Sequence, residues 1–483
     1  MNSHVDRKLI RRVAIPLTLL LAILSGCAVG PDYDKPPAVK LGEGWTLATP
    51  GGNADPALTV WWTSLGDPTL ARLVDQALAQ NLDVRQAISR IAEARAQVSA
   101  TSARALPTLT GGAVVAPVHQ GINGPLPSQG SRDSTVYAFG FDASWELDLF
   151  GSVRRSVESA GARLEATRED AAAVRISVAA EVARTYLSLR GAQLELVARR
   201  ASVDTLRRTS DTARRRLAQG DAAKADYNAV QSRLDAALAG LPSIESRVRG
   251  AALALGTLLG GLPEAELALL ESGRSMIVVV ALPVGQRAEL LRRRPDIRAA
   301  ERRLAASTSD IGVATAELFP KLSITALGGF TALAPNNLFL GDSLSGVVAP
   351  LISWRVLDGG RVRAEISAAQ ARQETAALAY ESSVVNALGD AERALSQYHF
   401  AQEALVLQRK AVESIGRDFS NAQRRFAAGD VGLVEMLDVE RQLRDGQEGL
   451  ARAQANAAID LVSLYKSLGG GWIAPQPKGA SDL

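Results

Sequence analysis

Cysteine is almost absent. Cys27 is the single one in 483 residues, which excludes an intramolecular disulfide and any cysteine-built metal centre. Histidine is nearly as scarce: His4, His119 and His399 stand far apart, and none has a ligand cluster beside it. No metal site and no catalytic constellation is therefore expected, and nothing points to an enzyme. Aromatic residues make up 5% of the chain, while hydrophobic residues reach 47% and are mostly Ala, Leu and Val. That balance suits long, closely packed helices better than one large globular core. The net charge of +3 is small for the length, and part of it lies in the N-terminal segment, so no nucleic-acid partner is expected. Past that segment no run of about 18 apolar residues occurs, so no transmembrane helix is expected. The apolar stretch 277–282 is far too short.

The N-terminus has the form of a targeting segment. Arg7, Lys8, Arg11 and Arg12 precede an apolar run at 13–24 that is too short to span a bilayer. It ends in Leu24-Ser25-Gly26-Cys27, which resembles a bacterial lipoprotein cleavage box. Residues 1–26 would be removed and Cys27 would carry the acyl chains, enough to anchor a protein stably. No other cofactor is expected. Ala28 follows where an Asp is absent, which in such lipoproteins favours the outer membrane. The alternative is an ordinary signal peptide with an incidental cysteine. Residues 27–66 are rich in Pro, Gly and Asp and read as an extended arm running from the anchor.

The remainder is written twice. Asp83-Val84-Arg85 returns as Asp296-Ile297-Arg298, Trp145 as Trp354, and Arg215-Arg216-Leu217-Ala218-Gln219-Gly220-Asp221 as Arg424-Arg425-Phe426-Ala427-Ala428-Gly429-Asp430. Pro107 and Pro320 are 213 residues apart, Gly220 and Gly429 209 apart, so the copies nearly match in length. A repeat this long sets the architecture. Repeat 1 occupies 67–261 and repeat 2 occupies 285–470, with a connector at 262–284 and a tail at 471–483.

Within repeat 1, helical patterning runs from an N-cap at Asp67 to about Arg104, where Pro107 follows. A second helix runs from Gly151 to about Leu217, on the order of 100 Å. A third follows the Gly220-Asp221 break to near Leu259, and repeat 2 copies the order. Asp221 and Asp430 read as N-caps after glycine turns. Helices this long bury their apolar stripes only side by side, as coiled coils or a helical barrel.

Between the short and long helices the period changes to two. Residues 137–149 alternate Tyr137, Phe139, Phe141, Ala143, Trp145, Leu147 and Leu149 with small or acidic residues. A noisier run at 348–356 contains Pro350, and two further strands begin at the repeated prolines. Each copy thus contributes one β-hairpin, at about 107–150 and 319–358. Such strands fit a transmembrane β-barrel, and they fit a soluble sheet equally well. In lipid, four strands leave open edges, so copies must associate. Two copies would give eight strands with a filled interior; three would give twelve and a lumen.

The repeat, the Gly-Cys-Ala-Val-Gly-Pro-Asp-Tyr start at 26–33, and Leu-Arg-Arg-Arg-Pro-Asp-Ile-Arg-Ala-Ala-Glu at 291–301 strongly resemble the TolC-like outer-membrane factors. The branch they resemble is the NodT-type lipoprotein component of resistance-nodulation-division (RND) efflux systems. The resemblance implies a mainly α fold with a β-barrel portion: a homotrimer with a twelve-stranded barrel in outer-membrane lipid and a long α-helical barrel in the periplasm. It implies a periplasmic adaptor (membrane-fusion) protein and an inner-membrane RND-type pump as partners, and passive exit of small molecules. It places 262–284 in an equatorial belt. It also implies that the second helical turn forms the periplasmic gate. Glu435 and Asp438 fall at acidic lumen positions, Val434 at an apolar constriction, and Phe426 where an aromatic, often tyrosine, precedes the turn. Val431 stands where some members carry a basic latch residue. Acidic rings at a narrow opening select for cations. On the residues alone, Glu435 and Asp438 are also ordinary acids favoured by a helix N-terminus. Two other functions share the same features: the exit duct of a type I protein-secretion system, and a lipid-anchored periplasmic coiled-coil scaffold.

Overall fold

The computed structural model describes residues 28–47, 60–119, 133–271 and 286–470. The signal segment, Cys27, most of the connector and the tail at 471–483 lie outside the described residues. Eight α-helices and four strands follow in chain order among those described: α1 (Pro68–Gln80), α2 (Leu82–Ala103), β1 (Thr108–His119), β2 (Asp133–Leu147), α3 (Ser152–Gln219) and α4 (Lys224–Leu258). Then come α5 (Arg287–Arg293), α6 (Pro295–Ala316), β3 (Lys321–Ala332), β4 (Leu344–Ser353), α7 (Arg361–Ala428) and α8 (Leu433–Ser467). None of these helices is long and apolar enough to cross a membrane.

The helix expected over 67–104 is two helices. Asp67 caps α1 as expected, accepting from the Thr69 and Leu70 amides. The chain then breaks at Asn81, whose side chain accepts from the Asp83 and Val84 amides and donates to the Leu258 carbonyl at 2.7 Å. The second repeat breaks at the matching place, Arg294, just before Pro295. Pro242 lies inside α4, where it forgoes one intrahelical bond.

Asp221 and Asp430 are not N-caps. α4 and α8 start later, at Lys224 and Leu433. Each aspartate instead closes the helix before it: the Asp221 amide donates to the Arg216 carbonyl and the Asp430 amide to Arg425, at 2.9 and 2.8 Å. Gly220 and Gly429 sit at φ of 80° and 82°, which only glycine adopts without a Cβ penalty. This is a Schellman closure, used at both hairpin tips.

The chain divides into two compact units. One, built from Met1–Pro37, Ile91–Thr167 and Ala300–Tyr380, holds the sheet and the helix segments next to it. The other, from Ala38–Arg90, Arg168–Ala299 and Glu381–Leu483, holds the main hydrophobic core and both tips. Its core gathers Trp61, Leu70, Leu73, Tyr186, Leu255, Leu461 and Leu464, all essentially fully buried. Trp61 stacks on Tyr465 with ring centroids 5.1 Å apart. Burying each large side chain contributes about 1.5–3 kcal/mol. Tyr186 donates to the Asp67 cap at 2.6 Å, and burial pushes its hydroxyl up to about 12.

The strands form one antiparallel sheet in the order β1-β2-β3-β4. Relative to the alternation read from sequence, β2 starts earlier, at Asp133, and ends at Leu147, while β4 stops before Trp354. The hairpins join because β2 pairs with β3, Phe139 opposite Phe330 and Ala143 opposite Ala326. Pro117 and Pro350 sit in β1 and β4, the two edge strands of this chain's own sheet.

Candidate functional site

Directly opposed residues in an antiparallel sheet share a face. The register therefore sorts every strand residue. One face carries Leu109 and Val115 of β1, Phe139, Phe141 and Trp145 of β2, Ile324 and Phe330 of β3, and Val348 and Ile352 of β4. Its ionisable side chains near the strand ends are confined to one end, where His119 meets Asp133 at 2.6 Å. The other face carries Thr110, Asp142, Ser144, Glu146, Lys321, Thr325 and Ser345, with glycine and alanine but also Val114, Leu327, Val347 and Leu351 between them. The apolar face is largely uncovered: Phe141 is 51% exposed, Val348 72% and Ile352 70%.

At the helix-proximal end the repeats match in detail. The Trp145 indole donates to the Ala105 carbonyl at 2.9 Å, and the Trp354 indole donates to Leu318 at 3.0 Å. Each satisfies a carbonyl left over after a helix, so a tryptophan recurs there for a structural reason.

The start of the arm is clipped to the same unit. The Val29 amide donates to the Phe150 carbonyl at 3.2 Å. The buried Arg155 guanidinium donates to the Val29 carbonyl and to Asp32 at 2.6 Å. A Cβ at Gly30 would lie 2.4 Å from the Gly312 Cα. Tyr33 donates to Glu301, and burial raises its hydroxyl. The Gly-Pro-Asp-Tyr stretch after Cys27 is thus shaped to dock, although Cys27 itself lies outside the described residues.

In the other unit, the tips of the α3–α4 and α7–α8 hairpins pack through Ala213, Val230 and Leu437, with Tyr227, Leu433 and Met436 around them. Phe426 is half-buried in the last turn of α7, Val431 is buried, and Val434 in the first turn of α8 is 38% exposed. Glu435 and Asp438 are exposed but not bare. Glu435 faces Arg425 at 3.7 Å. Asp438 is bonded by Arg441 at 3.2 Å and Gln442 at 3.1 Å, which hold its carboxyl below the usual range, and Arg233 of α4 stands at 3.9 Å. Sequence reasoning missed these guanidinium groups. The Asp438–Arg441 spacing of three residues was a legible helical pair, whereas nothing in the sequence joins Arg233 to Asp438.

Farther along the hairpins, Glu448 of α8 is 3% exposed and meets Arg199 of α3 at 2.8 Å. Burial pushes its carboxyl up, against the attraction of Arg199. Among the described residues no cluster of three or more His, Asp and Glu could hold a metal ion.

A family model described as outer membrane efflux protein matches residues 73–261 and 287–470. Nodulation protein T of Rhizobium leguminosarum bv. trifolii is 31% identical over 461 residues, spanning 93% of this chain and 96% of that protein. Outer membrane protein OprJ of Pseudomonas aeruginosa is 31% identical over 463 residues, spanning 94% of this chain and 95% of its own. Among solved structures, the outer-membrane channel OprN aligns at 35% identity with a TM-score of 0.82, covering 92% of this chain and 100% of that one.

Proposed function

Since this chain belongs to the outer membrane efflux protein family, we propose that three copies of it close one conduit through the outer membrane. The protein is an outer-membrane exit channel of a tripartite efflux pump, reaching into the periplasm, and it conducts passively without catalysing a reaction. An adaptor and an inner-membrane pump are its partners. Beyond this, we assign the pump to the RND type, the oligomer to a homotrimer and the anchor to acyl chains on Cys27.

One observation carries the trimer: a four-stranded sheet with two unpaired edges and an unbroken apolar face. In lipid each unsatisfied edge N–H or C=O costs several kcal/mol, so β4 of one copy must pair with β1 of the next. With strands about 4.8 Å apart and tilted by about 40°, eight would enclose a backbone cylinder roughly 16 Å across, which side chains fill. Twelve enclose roughly 24 Å, which leaves a lumen lined by the Asp142–Glu146 face. At the periplasmic end, Phe426, Val434, Glu435 and Asp438 form the gate. Val434 meets its symmetry mates as an apolar ring, and the two acids of each copy line the opening beside their guanidinium partners.

Native mass measurement of the detergent-extracted protein, followed by single-channel recording, tests this reading. A trimer with discrete conductance steps is expected. A single-subunit particle that leaves bilayers impermeable would overturn it.

A further inference from the structure

A recess of about 510 Å³ opens on the apolar face of the sheet, the face opposite the Asp142–Glu146 one. Gly328 and Gly346 form its floor, and Phe139, Phe141, Phe330 and Leu344 its walls. Phe339, in the turn before β4, packs edge-on against two of these walls, Phe139 at 5.9 Å and Phe330 at 5.5 Å. Glycine weakens a strand, so each one there needs a reason. Gly140 and Gly329 have one, because a Cβ at Gly329 would lie 2.5 Å from both the Gly140 Cα and the Phe139 carbonyl oxygen. Gly328 has none within the chain. A Cβ there would meet nothing within 4 Å, and its φ is not positive. The space above Gly328 is open, walled by aromatic rings, and lies on the face that meets membrane lipid.

We propose that this recess binds one acyl chain of a bilayer lipid, laid extended over Gly328 between the phenylalanine rings. The proposal rests on the membrane-spanning trimer above. Flat rings around a glycine floor contact a straight hydrocarbon chain along its length, and a methyl or larger group at 328 would occupy that path. The walls all come from one copy, since the neighbour's β1 joins beyond β4. The occupant proposed is a bilayer lipid and not the acyl chains expected on Cys27. Ala28 lies against Gly151, past the Leu147 end of β2, whereas the recess sits by the turn that precedes β4.

The full-length protein is reconstituted in phosphatidylethanolamine vesicles containing a phosphatidylethanolamine with a mid-chain diazirine, irradiated, and mapped by peptide mass spectrometry. Labelling at Phe139, Phe141 and Phe330 should exceed that at Ala326 and Val348, on the same face, by at least fivefold. Gly328→Leu should cut it at least fivefold while Ala326→Leu leaves it unchanged, and Phe330→Leu, which removes a wall, should also lower it. Labelling should persist in Cys27→Ser. Even labelling along the face, indifference to both Gly328→Leu and Phe330→Leu, or loss of label in Cys27→Ser would each overturn the proposal. Single-channel recording on the same vesicles separates the two readings: conductance with even labelling sinks the lipid site alone, and its absence in the unaltered protein sinks the channel.

Discussion

Replacing Glu435 and Asp438 by Ser should lower the cation preference of the open channel, and the geometry sets how far. Both carboxylates remain exposed, 61% and 43% at the side chain, despite their partners at 3.7 and 3.2 Å. Pairs this exposed are worth about 1 kcal/mol or less and leave most of each charge visible to a passing ion. In a trimer each position supplies three charges. An ion passing roughly 5 Å from each carboxylate in water gains about 0.8 kcal/mol per charge, and screening over a Debye length near 8 Å roughly halves this. Three charges then favour a cation by about 1.3 kcal/mol and disfavour an anion by as much, on the order of a hundredfold in the cation-to-anion permeability ratio. Neutralising both positions also leaves Arg425 and Arg441 unopposed, so the ratio should fall by at least that factor. Arg425→Ser should shift it the other way. Planar-bilayer reversal potentials in a salt gradient measure both. If neither substitution moves the reversal potential, these acids do not line the path, and they are merely helix N-terminal residues.

Three further outcomes follow from the same coordinates. Gly329→Ala places a Cβ against backbone atoms that cannot yield, and should cost about 1–3 kcal/mol or more, abolishing heat-resistant oligomers on semi-native gels; Gly328→Ala, with open space, should assemble normally. Asn81→Ala removes the cap of α2 and leaves the Leu258 carbonyl unbonded, costing about 2 kcal/mol, read as a lower denaturant midpoint; an unchanged midpoint would refute the capping role. Glu448→Gln tests linkage. A raised carboxyl in the folded state means the unfolded chain loses its proton first, so this group's contribution to stability falls as pH rises from its unfolded value through its folded one. The variant should therefore gain on the unaltered protein as pH rises above 4.5, with Arg199, Glu195, Asp445 and Arg452 as the surrounding charges; a difference independent of pH refutes it.

Repetition, helix length and strand period were legible in the sequence because each is a local or self-referential pattern. The recurring Pro, Trp and Gly-Asp markers set the order of elements in both copies, and alternation from Tyr137 onward identified a strand with one apolar side. The glycines at 220 and 429 do break the helices, but the aspartates after them close the preceding helix and do not cap the next. Whether a backbone N–H caps forward or closes backward depends on a neighbouring φ angle that residue type alone leaves open. Tertiary structure decided what requires two distant segments to meet: β2 against β3, which turns two hairpins into one sheet, Arg233 beside Asp438, and the aromatic recess over Gly328. Each depends on register or on helix-to-helix packing, set by the sum of many weak contacts across more than a hundred residues, and no local pattern encodes such a sum.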